Sequence, residues 1–400
     1  MHILIIYQYF GTRNSGWSTR IYELARNWVA DGTHVTVITS PYYKSDIKAS
    51  GLISHQSVDG IRLVVINCAD SNLHSKIRRI FNALTFSIVS SWFAVRIPAS
   101  IVIASSGPIT VGIPAIMASL FSSKKMVFEV RDLWPRGAIE MGLIKNKILI
   151  RLGLLFENWC YKRSRFVVPC SLGMEQDIIS RFPTVKTLVI PNAADISFFG
   201  EAVSYDSLPD WATDSDNTLL VYFGSLGAMD ACEEIIDGFN LVEKRARIHI
   251  AFIGDGSEKH DLIAKTNALG LHRNIHFIPL MPKILLRAWL KKARASFVVF
   301  KPFPVLDTSS PNKLFDSLSA GVPVIQNTGG WMKDLVNNYG VGLNVESSNP
   351  QSMATAIIHF SDISYLDWVK MSVSAVSLAR NEFDCERHAK LYLSNLIVLE

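Results

Sequence analysis

One polar segment in the C-terminal half combines a cation and a carboxylate at helical spacing. Ser310 or Asn312 is predicted to cap a helix beside Pro311, which leaves free backbone N–H groups and Lys313 at the positive end of that helix. A lysine is locally unfavourable there unless an anion is bound. Asp316 follows three residues later on the same helix face. The segment predicts a diphosphate on Lys313 and a ribose on Asp316; a surface ion pair of small value is the alternative.

Glycines stand after three predicted strands. A glycine at this place lets backbone N–H groups approach a phosphate or a sugar, and a following helix favours negative charge at its N-terminus. The glycines are Gly11 and Gly16, Gly224 and Gly227, and Gly254 and Gly256. The first turn is not a G-x-G-x-x-G and no acidic residue ends the second predicted strand, which disfavours a dinucleotide cofactor. A plain glycine-containing turn is the alternative for that first element.

Short β-branched runs alternate with longer helical patterns almost from end to end, which is typical of βαβ units with buried parallel strands. A helix is predicted over Gly16–Ala30. Strands are predicted at His2–Tyr7, Val35–Thr39, Ile61–Val65, Ser100–Ala104, Lys125–Val130 and Phe166–Pro169, and again at Thr218–Phe223, Arg247–Ile253, Ile275–Pro279, Ala295–Val299 and Val322–Gln326. The fold class is therefore α/β, with two Rossmann-like domains whose parallel sheets face a central cleft, where ligands bind beyond the carboxyl ends of the strands.

The length and a change of composition set the domain boundaries. A chain of 400 residues exceeds what one hydrophobic core usually supports. A stretch rich in Ser, Asp, Pro and Ala, without periodicity, marks a linker between the two series of strands. We predict a first domain over residues 1–190, a linker over 191–217, a second domain over 218–375, and a helical segment over 376–400 that packs back on the first domain.

Charge and cysteine content exclude several functions. The chain has 40 Lys and Arg against 35 Asp and Glu, an excess too small to indicate nucleic-acid binding. The five cysteines form no C-x-x-C, and the one close pair, Cys385 with His388, supplies too few metal ligands. Asp214 and Asp216 form a D-x-D, but it lies in the predicted linker, where a solvated acidic turn is expected. Neither a metal nor a cofactor is predicted.

The apolar stretches predict contact with a membrane surface rather than a span. The first residues lack the basic start, apolar run and cleavage site of a signal peptide, so a cytoplasmic protein is expected. The uncharged stretch from Ile97 to Ser123 is broken by prolines and glycines, and predicts strand, loop and helix. Basic residues at Lys76–Phe81 open an apolar helix that continues over Ile80 to Val95, and a second cationic stretch follows at Lys145–Arg151. This pattern predicts a helix on an anionic bilayer; a buried helix packed on the sheet is the alternative.

The segment that starts at Asp316 resembles a known donor-site motif. In retaining GT-B transferases of glycosyltransferase family 4, an acidic residue precedes a small-residue helix, which here ends in Ala320–Val324. Three other stretches agree in order with the family, so the resemblance covers nearly the full length: Ile190–Asp195, Phe223–Gly227 and Ile253–Gly256. Phe128–Pro135 together with Ser310–Asp316 is similar to bacterial O-antigen and capsule transferases that use UDP-linked N-acetylated deoxysugars such as N-acetylfucosamine.

The resemblance implies the activity. The expected enzyme transfers a sugar from a UDP donor with retention of anomeric configuration and without a metal. With the membrane pattern, it implies a polyprenyl-diphosphate-linked sugar as acceptor in surface polysaccharide synthesis, and a protein peripheral at the inner face of the plasma membrane.

The resemblance also implies the site. Cations and backbone amides stabilise the leaving UDP where charge develops. Lys313 is expected on the diphosphate and Asp316 on the ribose, while Arg131 and Asp132 face the acceptor, whose hydroxyl Asp132 polarises as a base. A structural ion pair between Arg131 and Asp132 below Trp134 is the alternative. The expected donor-binding residues are Gly16, Gly224, Ser225, Lys301, Asn312, Lys313, Leu314 and Asp316, and the expected catalytic residues are Asp132, Arg131 and Lys313.

The chain departs from the family pattern at several positions. Many relatives carry two glutamates eight positions apart, whereas Thr308 stands at the first of these and Asp307 lies one place off. The usual Arg and Lys after the glycine turn are replaced by Ser225 and by Ala228–Asp230, and Arg131 stands where several relatives have a histidine. A sugar-nucleotide epimerase of the same architecture, an inactive donor-binding subunit of a transferase pair, and a nicotinamide-dependent dehydrogenase are the alternatives.

Overall fold

A computed structural model describes residues 1–71, 74–193, 195–244 and 246–399, and within Lys76 only the backbone. The described residues form two compact units. The first contains Met1–Asn192, Thr308–Ser310 and Cys385–Glu400, and the second contains Ala193–Asp307 and Pro311–Asp384. The chain therefore passes from one unit to the other after Asn192 and after Asp384. The boundaries predicted from the sequence are at residues 190 and 376.

The first unit is built on a seven-stranded sheet in the order β3-β4-β2-β1-β5-β6-β7. Its strands are β1 (His2–Ile6), β2 (His34–Thr39), β3 (Ile53–Val58), β4 (Ile61–Ile66), β5 (Ile101–Ser105), β6 (Lys125–Val130) and β7 (Val167–Pro169). Its first six helices are α1 (Arg20–Ala30), α2 (Lys76–Arg96), α3 (Gly112–Phe121), α4 (Arg136–Glu140), α5 (Lys147–Arg163) and α6 (Leu172–Arg181). All neighbouring strands are parallel except β3, which pairs antiparallel with β4 at the edge of the sheet.

The second unit is built on a six-stranded parallel sheet in the order β10-β9-β8-β11-β12-β13. Its strands are β8 (Thr218–Ser225), β9 (Ile248–Asp255), β10 (Ile275–Ile278), β11 (Ala295–Val298), β12 (Val324–Gln326) and β13 (Gly342–Asn344). Its helices are α7 (Ile196–Gly200), α8 (Asp210–Thr213), α9 (Cys232–Asn240), α10 (Lys259–Ala268), α11 (Lys283–Lys292), α12 (Asn312–Ser319), α13 (Gly330–Tyr339), α14 (Pro350–Asp362) and α15 (Tyr365–Glu382). The last helix of the chain, α16 (Cys385–Ile397), belongs to the first unit.

Both sheets are covered by helices on two faces, which explains why most of their strands are apolar. In the first unit, α1 and α16 pack on one face, where the Trp28 indole N–H donates to the Ala389 carbonyl at 2.9 Å. The connections β4 to β5, β5 to β6 and β6 to β7 all advance in the same direction across the sheet. Because such crossovers are right-handed, α2, α3 and α5 lie together on the other face.

The predicted α/β class with two Rossmann-like units is confirmed, and most strands fall within two residues of their predicted bounds. The stretch Ile97–Ser123 contains β5 and α3, as predicted, and no helix in the described part of the chain is long and apolar enough to cross a membrane. Three details differ from the prediction. α1 begins at Arg20 rather than Gly16, and neither β3 nor β13 was predicted. The strand β3 is largely polar because it lies at an edge, so it lacks the apolar run of the others.

Candidate functional site

Lys313 lies in the first turn of α12, at the carboxyl end of the six-stranded sheet. Pro311 is the N-cap residue and makes no side-chain cap bond, so the predicted cap by Ser310 or Asn312 is wrong. The reason is that proline occupies the cap position and has no side-chain acceptor, while Asn312 is already the first helical residue. The Leu314 side chain is fully buried in the core, so only its backbone is available to a ligand.

A buried network holds the Lys313 ammonium in place. Its Nζ donates to Asp230 Oδ1 at 2.9 Å and to the Tyr222 hydroxyl at 2.8 Å. The Lys313 and Asp230 side chains are only 10% and 8% exposed. Burial raises the pKa of Tyr222 well above its ordinary value, so the hydroxyl keeps its proton and donates it to the Ser225 carbonyl at 2.5 Å. Lys313 is therefore tied, through Tyr222, to the glycine turn after β8.

The glycine turn at the end of β8 brings backbone close to Lys313. Gly224 is the second-last residue of β8 and has a φ of +129°, and a Cβ built there would lie 3.6 Å from Lys313 Cε. Its register partner is Gly254 on β9, where a Cβ would lie 1.9 Å from the Gly224 carbonyl oxygen. The two strand ends therefore pack backbone against backbone, which only glycine permits at Gly254. Gly224 and Ser225, expected on a diphosphate, thus lie beside the Lys313 ammonium.

Asp316 is paired with a cation that the sequence analysis missed. Lys283 Nζ lies 2.7 Å from Asp316 Oδ1, and the two side chains are 12% and 7% exposed. Lys283 is the first residue of α11 and lies 5.4 Å from the centre of the Phe199 ring. The signal was available, because Lys283, like Lys313, is a cation at the positive end of a helix, where its charge is unfavourable without a partner.

Lys301 is likewise paired. Its Nζ donates to Glu258 Oε1 at 2.6 Å, and its backbone N–H donates to the Met229 carbonyl at 2.9 Å. The three lysines of this region, at positions 283, 301 and 313, thus each have a carboxylate partner. An incoming diphosphate must compete with these carboxylates for the cations.

In the first unit, Arg131 and Asp132 follow β6 directly. The Arg131 backbone N–H donates to Ser106 Oγ at 3.0 Å, and Nη2 donates to Ser18 Oγ at 2.7 Å. The guanidinium lies 4.9 Å from the centre of the Tyr7 ring, and Nη1 is buried with no hydrogen-bond partner among the described residues. No salt bridge to Asp132 forms within the described chain, so the alternative of a structural Arg131–Asp132 pair is not supported.

The Asp132 side chain is exposed. Desolvation raises its pKa to about 6, and the nearby Arg131 charge opposes that rise. A carboxyl group with this pKa is largely ionised at neutral pH and retains some basicity. That is the property required of a group that polarises a hydroxyl.

Gly16 lies away from any helix N-terminus. Its backbone N–H donates to the Lys44 carbonyl at 3.0 Å, and α1 begins four residues later, which corrects the expectation of a glycine directly before a helix. The first turn is held by side chains: the Trp17 indole N–H donates to the Tyr7 hydroxyl at 3.1 Å. In this unit the backbone N–H of Gly16 is therefore satisfied by the protein itself.

Two buried polar groups near the ends of β1 and β6 were also missed. The Glu129 carboxylate accepts from Arg20 Nη2 at 3.0 Å and from Ser105 Oγ at 2.7 Å, and it is fully buried. Gln8 is fully buried, and neither polar atom of its amide has a hydrogen-bond partner among the described residues. The position of Gln8, a polar residue just after the apolar strand β1, could have indicated this site from the sequence.

The described residues contain no group of three or more His, Cys, Asp or Glu side chains placed to hold a metal ion. The five cysteines are buried and free. What the second unit offers a ligand is therefore Lys313, largely buried beside the backbone of Gly224, with Lys283 and Lys301 as further cations, and this arrangement is suited to an anion.

Two family models match the chain, and between them they span both units. Residues 15–193 match the glycosyl transferase 4-like domain, and residues 217–362 match the glycosyl transferases group 1 domain. Together with the two parallel-sheet units, these matches show that the chain is a glycosyltransferase of the GT-B class, in the group 1 and 4-like families. No curated protein matches the chain by sequence.

Solved structures share the fold at low identity. A sucrose-phosphate synthase from Thermosynechococcus elongatus has a TM-score of 0.77 at 13% identity, with 99% of each chain covered. HepE from Anabaena, in complex with UDP-glucose, has a TM-score of 0.72 at 14% identity, with 100% of each chain covered. WaaG, a glycosyltransferase involved in lipopolysaccharide biosynthesis, has a TM-score of 0.65 at 14% identity, with 98% of this chain and 99% of that chain covered.

Proposed function

We propose that this glycosyltransferase takes its sugar from a UDP donor bound in the second unit, with the diphosphate on Lys313. The observation that carries the proposal is the buried ammonium of Lys313, which lies in the first turn of α12 and beside Gly224. A helix N-terminus and an adjacent glycine turn supply backbone N–H groups to a phosphate, and the ammonium adds the charge. The solved structure of HepE with UDP-glucose supports a UDP-linked donor.

The other donor residues follow from their places around Lys313. We assign the ribose to Asp316 and further diphosphate contacts to Gly224, Ser225 and Lys301. Asn312 and Leu314 contribute through the backbone of the first turn of α12, since the Leu314 side chain is buried. We further propose that the transfer retains configuration and proceeds without a metal, as the resemblance to family 4 implies; the lysines and backbone amides then stabilise the charge that develops on the leaving UDP.

We assign the acceptor to the first unit, at Arg131 and Asp132. Arg131 has one buried Nη without a hydrogen-bond partner among the described residues, which makes it a donor for an acceptor oxygen. Asp132, with its pKa raised to about 6, polarises the acceptor hydroxyl. The proposed donor sugar is an N-acetylated deoxyhexose such as N-acetylfucosamine, supported by the likeness of Phe128–Pro135 and Ser310–Asp316 to capsule and O-antigen transferases.

The proposed acceptor is a polyprenyl-diphosphate-linked sugar at the inner face of the plasma membrane. Its support is α2, where large apolar side chains are exposed and no acidic residue occurs. The exposed apolar residues of α2 are Ile77, Ile80, Phe81, Leu84, Ile88 and Trp92. Exposed apolar residues with flanking arginines suit adsorption to an anionic bilayer. The lipopolysaccharide role printed for WaaG supports an acceptor of this class.

Calorimetric titration with UDP, GDP, TDP and NAD tests the donor site. Selective binding of UDP that Lys313→Ala weakens is the expected result. Binding of NAD alone, or of none of the four, refutes a UDP donor. Release of UDP from a UDP-sugar only when an acceptor is supplied distinguishes a transferase from an epimerase. Donor binding without any turnover identifies an inactive subunit. That alternative is considered because Thr308 stands where many relatives carry a glutamate.

Flotation with anionic vesicles tests the membrane contact of α2. Wild-type protein is expected to float, and Arg78→Gln/Arg79→Gln to float less, because each arginine near the surface adds about 1 kcal/mol of attraction. Lys76 belongs to the same basic cluster, but its side chain lies outside the described residues. No flotation of the wild type, or unchanged flotation of the double variant, refutes this contact.

A further inference from the structure

An open groove of about 650 Å³ runs along α5 in the first unit, and none of its lining residues belongs to the proposed donor site. Its apolar lining includes Leu154 and Leu155 of α5, and Phe182 and Pro183 from the loop after α6. Four cations also line it, namely Lys147, Arg151, Lys162 and Arg181. We call this the α5 groove. Its shape and composition combine a hydrocarbon surface with positive charge.

The charge of the α5 groove is largely uncompensated. Arg181 is neutralised by Glu157 and Asp177, at 2.7 Å and 2.6 Å. By contrast, no described carboxylate forms a salt bridge with Lys147, Arg151 or Lys162. Glu157 is the only acidic residue of α5, and it is buried. Three exposed cations beside an apolar surface therefore face solvent without a counter-charge.

A line of exposed apolar side chains lies beside the groove on the same helix. Ile148, Leu152, Leu155 and Trp159 are spaced at four, three and four residues, which places them on one face of α5. Their exposed fractions range from 70% at Ile148 to 51% at Trp159. Single exposed apolar residues are ordinary, but a continuous row of them marks an interaction surface. We call this row the α5 ridge.

The α5 ridge belongs to the same helical layer as α2. The three helices α2, α3 and α5 lie on one face of the sheet, and α3 contacts both of the others. Leu120 and Phe121, at the end of α3, are exposed as well. The whole layer thus presents apolar side chains, and its only acidic residue is the buried Glu157.

We propose that the α5 groove binds a phosphate-bearing membrane lipid, with the phosphate on Lys147, Arg151 and Lys162 and the first part of the chain along Leu154 and Phe182. The α5 ridge enters the boundary between head groups and acyl chains. An anionic lipid matches both features of the groove. A free phosphate would make no contact with the apolar lining, and a zwitterionic lipid would not neutralise the positive charge. The inference rests on the proposed function only for the presence of a membrane at this layer, since no groove residue belongs to the donor site.

Vesicle binding of full-length variants tests this assignment. The groove variant is Lys147→Gln/Arg151→Gln/Lys162→Gln, and its control is Lys48→Gln/Arg273→Gln/Lys333→Gln, which removes the same charge from exposed positions elsewhere. The probe is vesicles of phosphatidylcholine with about one third phosphatidylglycerol, compared with phosphatidylcholine alone. Each cation near an anionic surface contributes about fivefold to binding, so the groove variant, which lacks three cations, is expected to bind about a hundredfold more weakly, and the control less than about threefold.

A ridge variant, Ile148→Ser/Leu152→Ser, separates insertion from charge, because neither residue lines the α5 groove. It is expected to weaken vesicle binding while leaving the salt dependence unchanged, because the cations are retained. Equal binding of the groove variant and its control overturns the proposal. Competition by millimolar inorganic phosphate or glycerol phosphate that abolishes vesicle binding also overturns it, because the site then serves a soluble anion.

UDP titration of the same preparations keeps the two proposals apart. Unchanged UDP affinity in the groove variant shows a folded protein with an intact donor site, so its loss of vesicle binding is specific. If the wild type does not bind UDP but the groove variant binds vesicles more weakly than its control, the donor site fails while the lipid site stands. If it binds UDP but the groove variant still binds vesicles as the control does, the lipid site alone fails.

Discussion

Asp230 holds the cation that we assign to the diphosphate, so replacing it is expected to improve UDP binding while destabilising the free protein. In Asp230→Asn the Lys313 ammonium loses its partner carboxylate, which lies 2.9 Å away and is 8% exposed. Removing one member of a buried pair costs about 3–5 kcal/mol when nothing replaces it. Because asparagine can still accept a hydrogen bond, we expect the lower part of that range.

The gain in affinity follows from removing a like charge. A phosphate oxygen on Lys313 must come within about 5 Å of the Asp230 carboxylate, where two unit charges repel by about 3 kcal/mol at an effective dielectric constant of 20. Movement of the carboxylate and screening by Lys313 reduce this figure, so we expect about 1–2 kcal/mol. This corresponds to a fivefold to thirtyfold lower Kd for UDP.

Calorimetry with UDP and thermal unfolding without it measure the two effects. Four proteins suffice: wild type, Asp230→Asn, Lys313→Met and the double variant. Lys313→Met is expected to lose UDP binding, and the double variant to regain stability relative to Lys313→Met, because Asp230 is no longer buried without a partner. Asp237→Asn is the matched control, since Asp237 lies on the following helix and pairs with Lys265. A folded Asp230→Asn that binds UDP no better than wild type refutes the competition between this carboxylate and the diphosphate.

Three further predictions concern the remaining site residues. Lys283→Met is expected to lower the preference for UDP over 2′-deoxy-UDP by about tenfold, because Asp316 loses the partner that orients its carboxylate. Competitive titration of the two nucleotides measures this preference. An unchanged preference means that the Lys283–Asp316 pair is only structural. Because the pKa of Asp132 is raised to about 6, its carboxyl group is protonated below that pH, and turnover is expected to rise as the pH increases through 6. Asp132→Asn is expected to remove turnover without altering the affinity for UDP. A turnover rate that is constant between pH 5 and 7 argues against Asp132 as the base. Gly254→Ala is expected to lower Tm and UDP affinity together, since its Cβ would collide with the Gly224 carbonyl oxygen, whereas Gly200→Ala, which meets no atom within 4 Å, serves as control.

The sequence was sufficient for the parts of the fold that depend on local pattern. Buried parallel strands are continuous apolar runs, so β1, β6 and β8 were found within two residues. The local pattern did not predict features that depend on tertiary contacts. β3 is polar because it is an edge strand that pairs only with β4. α1 begins later than predicted because the residues before it form a turn that side-chain hydrogen bonds stabilise.

The candidate site divides in the same way. Lys313 and Asp316 could be picked from their spacing on one helix, and the glycines from their places after strands. Which residue pairs with each could not be predicted, because Asp230 lies 83 residues before Lys313, and Lys283, although itself a recognisable cation, begins a different helix. Pairing across such separations depends on how the strands are ordered in the sheet. The composition of either segment does not reveal it.

The hydrogen bonds of Tyr222 bear on how the glycine turn responds to a ligand. Its hydroxyl holds the Ser225 carbonyl, while the N–H of the same peptide unit, on Leu226, donates to the Asp255 carbonyl at 3.1 Å. Both ends of that peptide are fixed before any nucleotide arrives, so the turn has little backbone freedom left to lose. Binding at this edge is then free of the ordering cost that a mobile phosphate loop incurs. Tyr222→Phe, which releases one end, is expected to make UDP binding entropically less favourable while every phosphate contact remains available.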